Sequence, residues 1–311
     1  MAYNLENINF RTIADPLEFM QECDAEYAKK VSDAADRVCN NLKKSPIVLL
    51  SGPSGSGKTT TAQKIEEELK RRGVNSHTIS MDNYFNTVDP ITSPRTEDGL
   101  YDFESPACLD ISLINKHIDQ LSNNEVIYVP KYEFSRQMRV LEPSKMLKLK
   151  KDEVVIFEGI HALNDSITCS NSEAFKLYIS ARSNIEFNGQ VVFKGTWLRL
   201  VRRTVRDHLF RAYDPQSTIA MWANVRRGEK LYISPFKDSA NLMLDTALPY
   251  EAPVMNSVAT ALFSAIPEGV ERYHELRSIL PAIQLFGHID NATVAPDSLI
   301  REFIGGGIYE Q

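Results

Sequence analysis

Glycines at 52, 55 and 57, followed directly by Lys58 and Thr59, spell the pattern G-x-x-x-x-G-K-T. Glycines let a backbone curl until successive N–H groups point inward, and such a nest ahead of a helix N-terminus gathers phosphate oxygens. Gly52, Ser54, Gly55, Ser56, Gly57, Lys58, Thr59 and Thr60 are therefore expected to cradle a polyphosphate tail. Lys58 would reach its β- and γ-phosphates, and the Thr59 hydroxyl would face Mg²⁺. Asp82 is the candidate carboxylate for taking a proton from an attacking hydroxyl. Glu158, at the end of a strongly apolar run, is the candidate second group on the Mg²⁺ side. Arg199, Arg202, Arg203 and Arg206 fall within an arc of roughly 100° on one helix, and their planar forks suit phosphate oxygens. Leu198, Val201, Val205 and Leu209 take another side of that helix, the one expected to pack.

Strands and helices must bring these groups together. The apolar run 46–51 leads into the glycine-rich loop, and a helix-like segment follows from 60 to about 72. Residues 75–80 read as a second strand that closes a β-α-β unit and delivers Asp82 to the carboxyl edge of a parallel sheet, where α/β folds collect ligands. Residues 86–107 read as a long loop, 111–121 as a helix and 126–130 as a short strand. Strands follow at 152–157 and 175–180, and Asn188-Gly189 marks a hairpin turn inside 185–193. Helices are expected at 198–211 and 217–225, forming a lid over about 199–237, then a short strand at 240–245 and helices at 253–265 and 267–280. Ahead of all this, 25–42 carries apolar residues at helical spacing. The domains expected are an N-terminal helical preface (1–45), a catalytic unit (46–257) and a C-terminal helical extension (258–311). His161 reads as a packed histidine.

With a net charge of −6, the chain has no global attraction for nucleic acid or anionic membranes. The four cysteines lack metal-ligand or paired spacing, and no run approaches the ~20 apolar residues of a membrane span. A reduced, cytoplasmic protein with a small-molecule partner is the expectation, with homo-oligomerisation left open. Asn115-Lys116-His117-Ile118-Asp119 places its acid one residue too late for a guanine-reading N-K-x-D motif.

Six motifs in order, 52–59, 80–85, 101–106, 130–134, 157–160 and 202–207, resemble the phosphoribulokinase/uridine kinase family, in its nucleoside-kinase branch, over residues 46–255. Residues 221–229, 232–236 and 296–306 resemble the kinase half of longer bacterial uridine-kinase-like proteins. The resemblance implies a P-loop NTPase fold, three-layer α/β/α with a mostly parallel sheet, a helical lid and a C-terminal helical extension. It implies ATP and Mg²⁺, with Asp82 as base and Thr59 and Glu158 on the Mg²⁺ side. Glu104 would contact a ribose hydroxyl, Tyr132 with Phe134 would wall the nucleobase, and Arg203 and Arg206 would be the lid arginines. Three positions depart from the pattern: Gln137 stands where a base-reading histidine is expected, Glu104 where the acid is usually Asp, and Ala223 in place of a sugar-binding Gln. The expected reaction is transfer of the γ-phosphoryl of ATP to a hydroxyl, foremost the 5′-hydroxyl of a uridine- or cytidine-like nucleoside. A sugar or small-alcohol kinase and a non-catalytic ATP-binding regulatory module are the alternatives.

Overall fold

The structure is a computed structural model describing residues 2–270 and 273–309. Strand β1 (Ala2–Asn4) leads into helix α1 (Leu5–Ala14) and the long α2 (Pro16–Asn41), whose start is capped by the Asp15 carboxylate accepting the Glu18 N–H. The central sheet begins with β2 (Ile47–Ser51), every residue of which is buried. Val48 and Leu50 pack into one apolar cluster with α2 and with α3 (Lys58–Arg71). Ile47 and Leu49 pack into a second cluster with α4 (Ile111–Ser122). A strand that is apolar on both faces belongs in the middle of a three-layer α/β/α stack.

The remaining central strands are β3 (Ser76–Ser80), β6 (Val154–Glu158), β7 (Phe175–Ser180) and β10 (Leu242–Asp245), in the order β10-β7-β2-β6-β3 and all parallel. The β-α-β unit expected from 46–80 does not join neighbours: β6 sits between β2 and β3. The reason is burial. Val154–Glu158 is buried throughout, whereas Ser76–Ser80 is mostly half-buried and takes the edge.

The short strand expected at 126–130 is longer and lies elsewhere. Strand β4 (Ile127–Glu133) pairs antiparallel with β5 (Met138–Leu147) as a two-stranded arm off the main sheet. Most of β5 is exposed, so it carries no apolar periodicity to read. The Asn188-Gly189 turn stands as expected, both residues left-handed (φ 50° and 75°), between β8 (Asn184–Phe187) and β9 (Gln190–Phe193). Strand β1 joins this excursion by pairing parallel with β8. The 115–119 stretch is interior to α4, where His117 accepts or donates one bond with the buried Tyr84 hydroxyl at 2.8 Å.

The last third is helical: α6 (Gly195–Phe210), α7 (Pro215–Gly228), α8 (Glu251–Ser264), α9 (Tyr273–Ile283) and the one-turn α10 (Arg301–Ile304), with the four-residue α5 (Asp165–Thr168) lying earlier. Of the helix expected at 267–280, residues 267–270 are turn and 271–272 lie outside the described residues. Leu5 and Ile8 at the start and Leu299 and Phe303 at the end belong to the same apolar cluster as the α3 face. No helix among the described residues is long and apolar enough to cross a membrane.

Candidate active site

Strand register sets the site. Glu158 pairs with Leu50 on one side and Ser80 on the other. The glycine-rich loop begins two residues past Leu50, and Asp82 lies two past Ser80, so loop, Asp82 and Glu158 reach the carboxyl edge at one level. Gly55 and Gly57 are left-handed (φ 72° and 81°). A Cβ on Gly55 would lie 2.8 Å from the Arg199 carbonyl oxygen, so backbone packs on backbone there.

The loop is held by its carbonyls. Arg199 Nη1 donates to Ser54 O (3.2 Å), Arg202 Nη1 to Gly55 O (3.1 Å) and Thr246 Oγ1 to Ser56 O (2.7 Å). Three consecutive carbonyls are thus tied back, which fixes the loop from behind. Gly57, the N-cap of α3, offers no side-chain cap, and the fully buried Ser56 Oγ has no partner. Thr59 is exposed at the cleft.

This corrects the reading of the arginine row as one cationic face. Arg199 is buried against Glu229 (3.0 and 2.8 Å), and Arg202 against Glu251 (2.6 and 2.9 Å). A guanidinium placed in the interior must find a carboxylate and oxygen acceptors, and both arginines spend themselves on the loop's back side. Arg203 and Arg206 differ. Arg203 Nη1 donates to Ser54 Oγ (2.9 Å), and both pair with buried Asp207, at 3.3 and 2.7 Å. Arg211 joins the same carboxylate at 3.7 Å. Sequence reasoning assigned no role to Asp207 or Arg211, although their i, i+4 spacing on the arginine helix was a signal.

Lys58 Nζ lies 4.0 Å from Glu158 Oε1. Burial lifts Glu158 to about 7 against Lys58, which pulls it down, and Asp82 adds to the rise. Asp82 opens onto the cleft yet is walled by protein: desolvation raises its pKa, opposed by Lys58, Arg211 and Arg206. The turn it sits in is capped by Ser80, whose Oγ accepts the Asp82 N–H (3.3 Å). Glu104 packs on Gly228 at the end of α7 and is lifted to about 7 by burial, against the pull of Arg203 and with a push from Asp102. Asp102 itself is tied to Arg227 at 2.7 Å. His161 is buried with its ring edge-on to Tyr232, and burial lowers it to about 4, so it is a neutral packed side chain at pH 7.

The titrations of Glu158 and Glu104 carry a stability consequence. A carboxyl that titrates higher folded (about 7) than unfolded (4.5) contributes stability complete below the unfolded value and lost as pH rises through the folded one. The ligand-free chain is therefore expected to lose on the order of 10 °C of Tm between about pH 5 and pH 8. Glu158→Gln should flatten part of that slope. Thermal melts in which parent and variant show the same pH dependence would contradict the burial assigned to Glu158.

The expected nucleobase wall divides. Tyr132 is buried, Phe134 is 60% exposed, and their rings lie 5.0 Å apart. Phe85, which had been given no role, completes a trio at 5.5 and 5.8 Å from them. Gln137 is exposed at the tip of the turn between β4 and β5, left-handed (φ 51°), with its carbonyl accepting the Val88 N–H at 3.0 Å. Ala223 lines a surface groove with Trp197 and Ser278. Among the described residues no three His, Cys, Asp or Glu side chains form a metal cluster. A Mg²⁺ ion carried by phosphates needs only one or two protein ligands, and Thr59 with Glu158 fits that demand.

A parallel sheet with a phosphate cradle at its carboxyl edge defines the P-loop NTPase fold. The sequence profile described as "Phosphoribulokinase / Uridine kinase family" matches residues 47–249, and the chain belongs to that family. It is 28% identical over 220 residues to a uridine kinase of Deinococcus deserti, covering 70% of this chain and 93% of that one. A uridine kinase of Borreliella burgdorferi (strain ZS7) is 29% identical over 226 residues, 72% of this chain and 98% of the other. The Saccharomyces cerevisiae uridine kinase is 28% identical over 217 residues, 70% of this chain but only 38% of that longer protein. Among solved structures, a candidate fructose transport system kinase from Silicibacter sp. TM1040 shares the fold at TM-score 0.51 and 18% identity, covering 69% of this chain and 98% of that one.

Proposed function

We propose that the chain transfers the γ-phosphoryl of ATP to the 5′-hydroxyl of a nucleoside. The convergence of Lys58, Asp82 and Glu158 on the mouth of one amide cradle carries this reading. Asp82 takes the proton of the attacking hydroxyl, whose oxygen forms the new bond to the γ-phosphorus as the bond to the β-phosphate oxygen breaks and ADP leaves. Lys58 neutralises the β- and γ-oxygens, and Arg203 and Arg206, held in place by Asp207, stabilise the charge spread over the transferring group. Thr59 and Glu158 would hold Mg²⁺, which would supply positive charge against the phosphate oxygens. The Phe85, Tyr132 and Phe134 rings supply an aromatic wall, and Glu104 accepts a sugar hydroxyl. The uridine kinases among its relatives support a nucleoside as acceptor.

A sugar or other small alcohol is the second reading, favoured by one observation: the residue standing where a base-reading histidine was expected, Gln137, is exposed at a turn. ADP release measured across uridine, cytidine, purine nucleosides and free sugars separates the two. Uridine or cytidine should exceed every free sugar in kcat/KM by at least about 10²-fold, the discrimination expected when a buried site is built to bond one acceptor. A free sugar that outranks all nucleosides overturns the nucleoside reading.

A further inference from the structure

The C-terminal segment reaches the phosphate cradle. Residues 296–308 form a closed loop, with the Ile308 N–H donating to Pro296 O at 3.0 Å and Arg301 bonded to the carbonyls of Asn291, Val294 and Gly305. Leu299, Ile300 and Phe303 are fully buried, and Leu299 packs on Gly57 so closely that a Cβ there would sit 2.7 Å from Cδ1. Further along α3, Lys64 lies 3.7 Å from Asp297, and the Tyr309 hydroxyl donates to Glu67 at 3.0 Å. The segment is thus strapped along the helix that follows the glycine-rich loop.

From this strap Glu302 points into the first turn of α3. Its Oε2 accepts both the Thr60 N–H (3.2 Å) and the Thr60 Oγ1 hydroxyl (2.7 Å). Thr60 is the third residue of a helix whose N-cap, Gly57, gives no side-chain cap, so its amide is one of the orphan donors that a P-loop turns toward nucleotide phosphates. One carboxylate oxygen accepting two donors is the kind of acceptor that a phosphate oxygen presents.

We propose that Glu302 is an internal ligand of the phosphate cradle: it holds the Thr60 donors in place of a nucleotide phosphate oxygen, and the nucleotide must displace it to bind. The C-terminal strap then sets the affinity for the donor nucleotide. This rests on the glycine-rich loop binding a nucleotide, and it goes further by naming the group that competes there. A plain helix cap makes the opposite prediction, since losing a cap weakens the loop that the nucleotide needs.

Calorimetric titration of MgATP and of tripolyphosphate into the full chain separates these cases, using the parent, Glu302→Gln and Glu302→Ala. Gln keeps an amide oxygen for the two Thr60 bonds and removes only the charge, so its fold is preserved, and thermal melts verify this. Both variants are expected to bind MgATP at least about 10-fold more tightly than the parent, in line with removal of a charged competitor. Tripolyphosphate, which has no base or sugar, should show the same gain and so place the effect at the phosphates. Unchanged or weaker binding by both variants overturns the proposal and leaves Glu302 a cap. Binding by neither parent nor variants overturns the nucleotide reading of the loop itself, and this proposal with it.

Discussion

Asp82→Asn is expected to lower turnover by about 10²–10⁴-fold, the usual contribution of a positioned base, while MgATP affinity stays near that of the parent. Asn matches the carboxylate in shape but cannot accept the hydroxyl proton. The cradle that binds the phosphates is made of backbone amides and Lys58, none of which the change touches. Removing the charge leaves Lys58, Arg206 and Arg211 with one fewer negative neighbour, which favours rather than weakens a polyanion. Single-turnover kinetics together with a titration of MgATP separate chemistry from binding. If the variant turns over like the parent, the base lies elsewhere; if it loses MgATP binding instead, Asp82 supports the cradle rather than the reaction.

Arg202→Met should cost about 3–5 kcal/mol of stability, the penalty for breaking a buried ion pair from one side. Arg202 is 0% exposed, forks onto both oxygens of Glu251, bonds Gly55 O and Thr246 O (2.7 Å), and lies over the Phe303 ring at 4.9 Å. Burial pushes Glu251 up while Arg202 pulls it down, so without the arginine a buried acid has nothing to hold its charge. The Gly55 carbonyl also loses its tie, which loosens the loop that presents the amides. A melt should fall by on the order of 10 °C, and Glu251→Leu in the same chain should recover much of the loss, as replacing a whole buried pair by apolar groups often does. A single variant that melts with the parent would refute the role given to this pair.

The fold class and the phosphate cradle were legible because their signals are local. A buried apolar strand, a glycine-rich turn and a helix adjoin in sequence, and the same backbone conformations that the glycines permit are those the cradle needs. The Asn188-Gly189 hairpin was legible for the same reason. Strand order was not, since it depends on which strand is most apolar on both faces once all are present, and β6 displaced β3 from the neighbourhood of β2. Strand β5 was missed because an exposed strand leaves no burial pattern to read.

The sequence by itself determined that a phosphate loop, an acid two residues past the second strand and an arginine-rich helix exist in this chain. Only the tertiary structure decided what each arginine does. Helical periodicity puts Arg199, Arg202, Arg203 and Arg206 on one face, but a partner's identity is a long-range fact: Glu229 and Glu251 claim the first two for the back of the loop, and Asp207 gathers the others with Arg211 beside Asp82. The contact between Glu302 and Thr60 bridges 242 residues, and no local pattern can announce such a meeting. Spacing fixes which side chains share a face, whereas burial and charge pairing across the fold fix what that face is for.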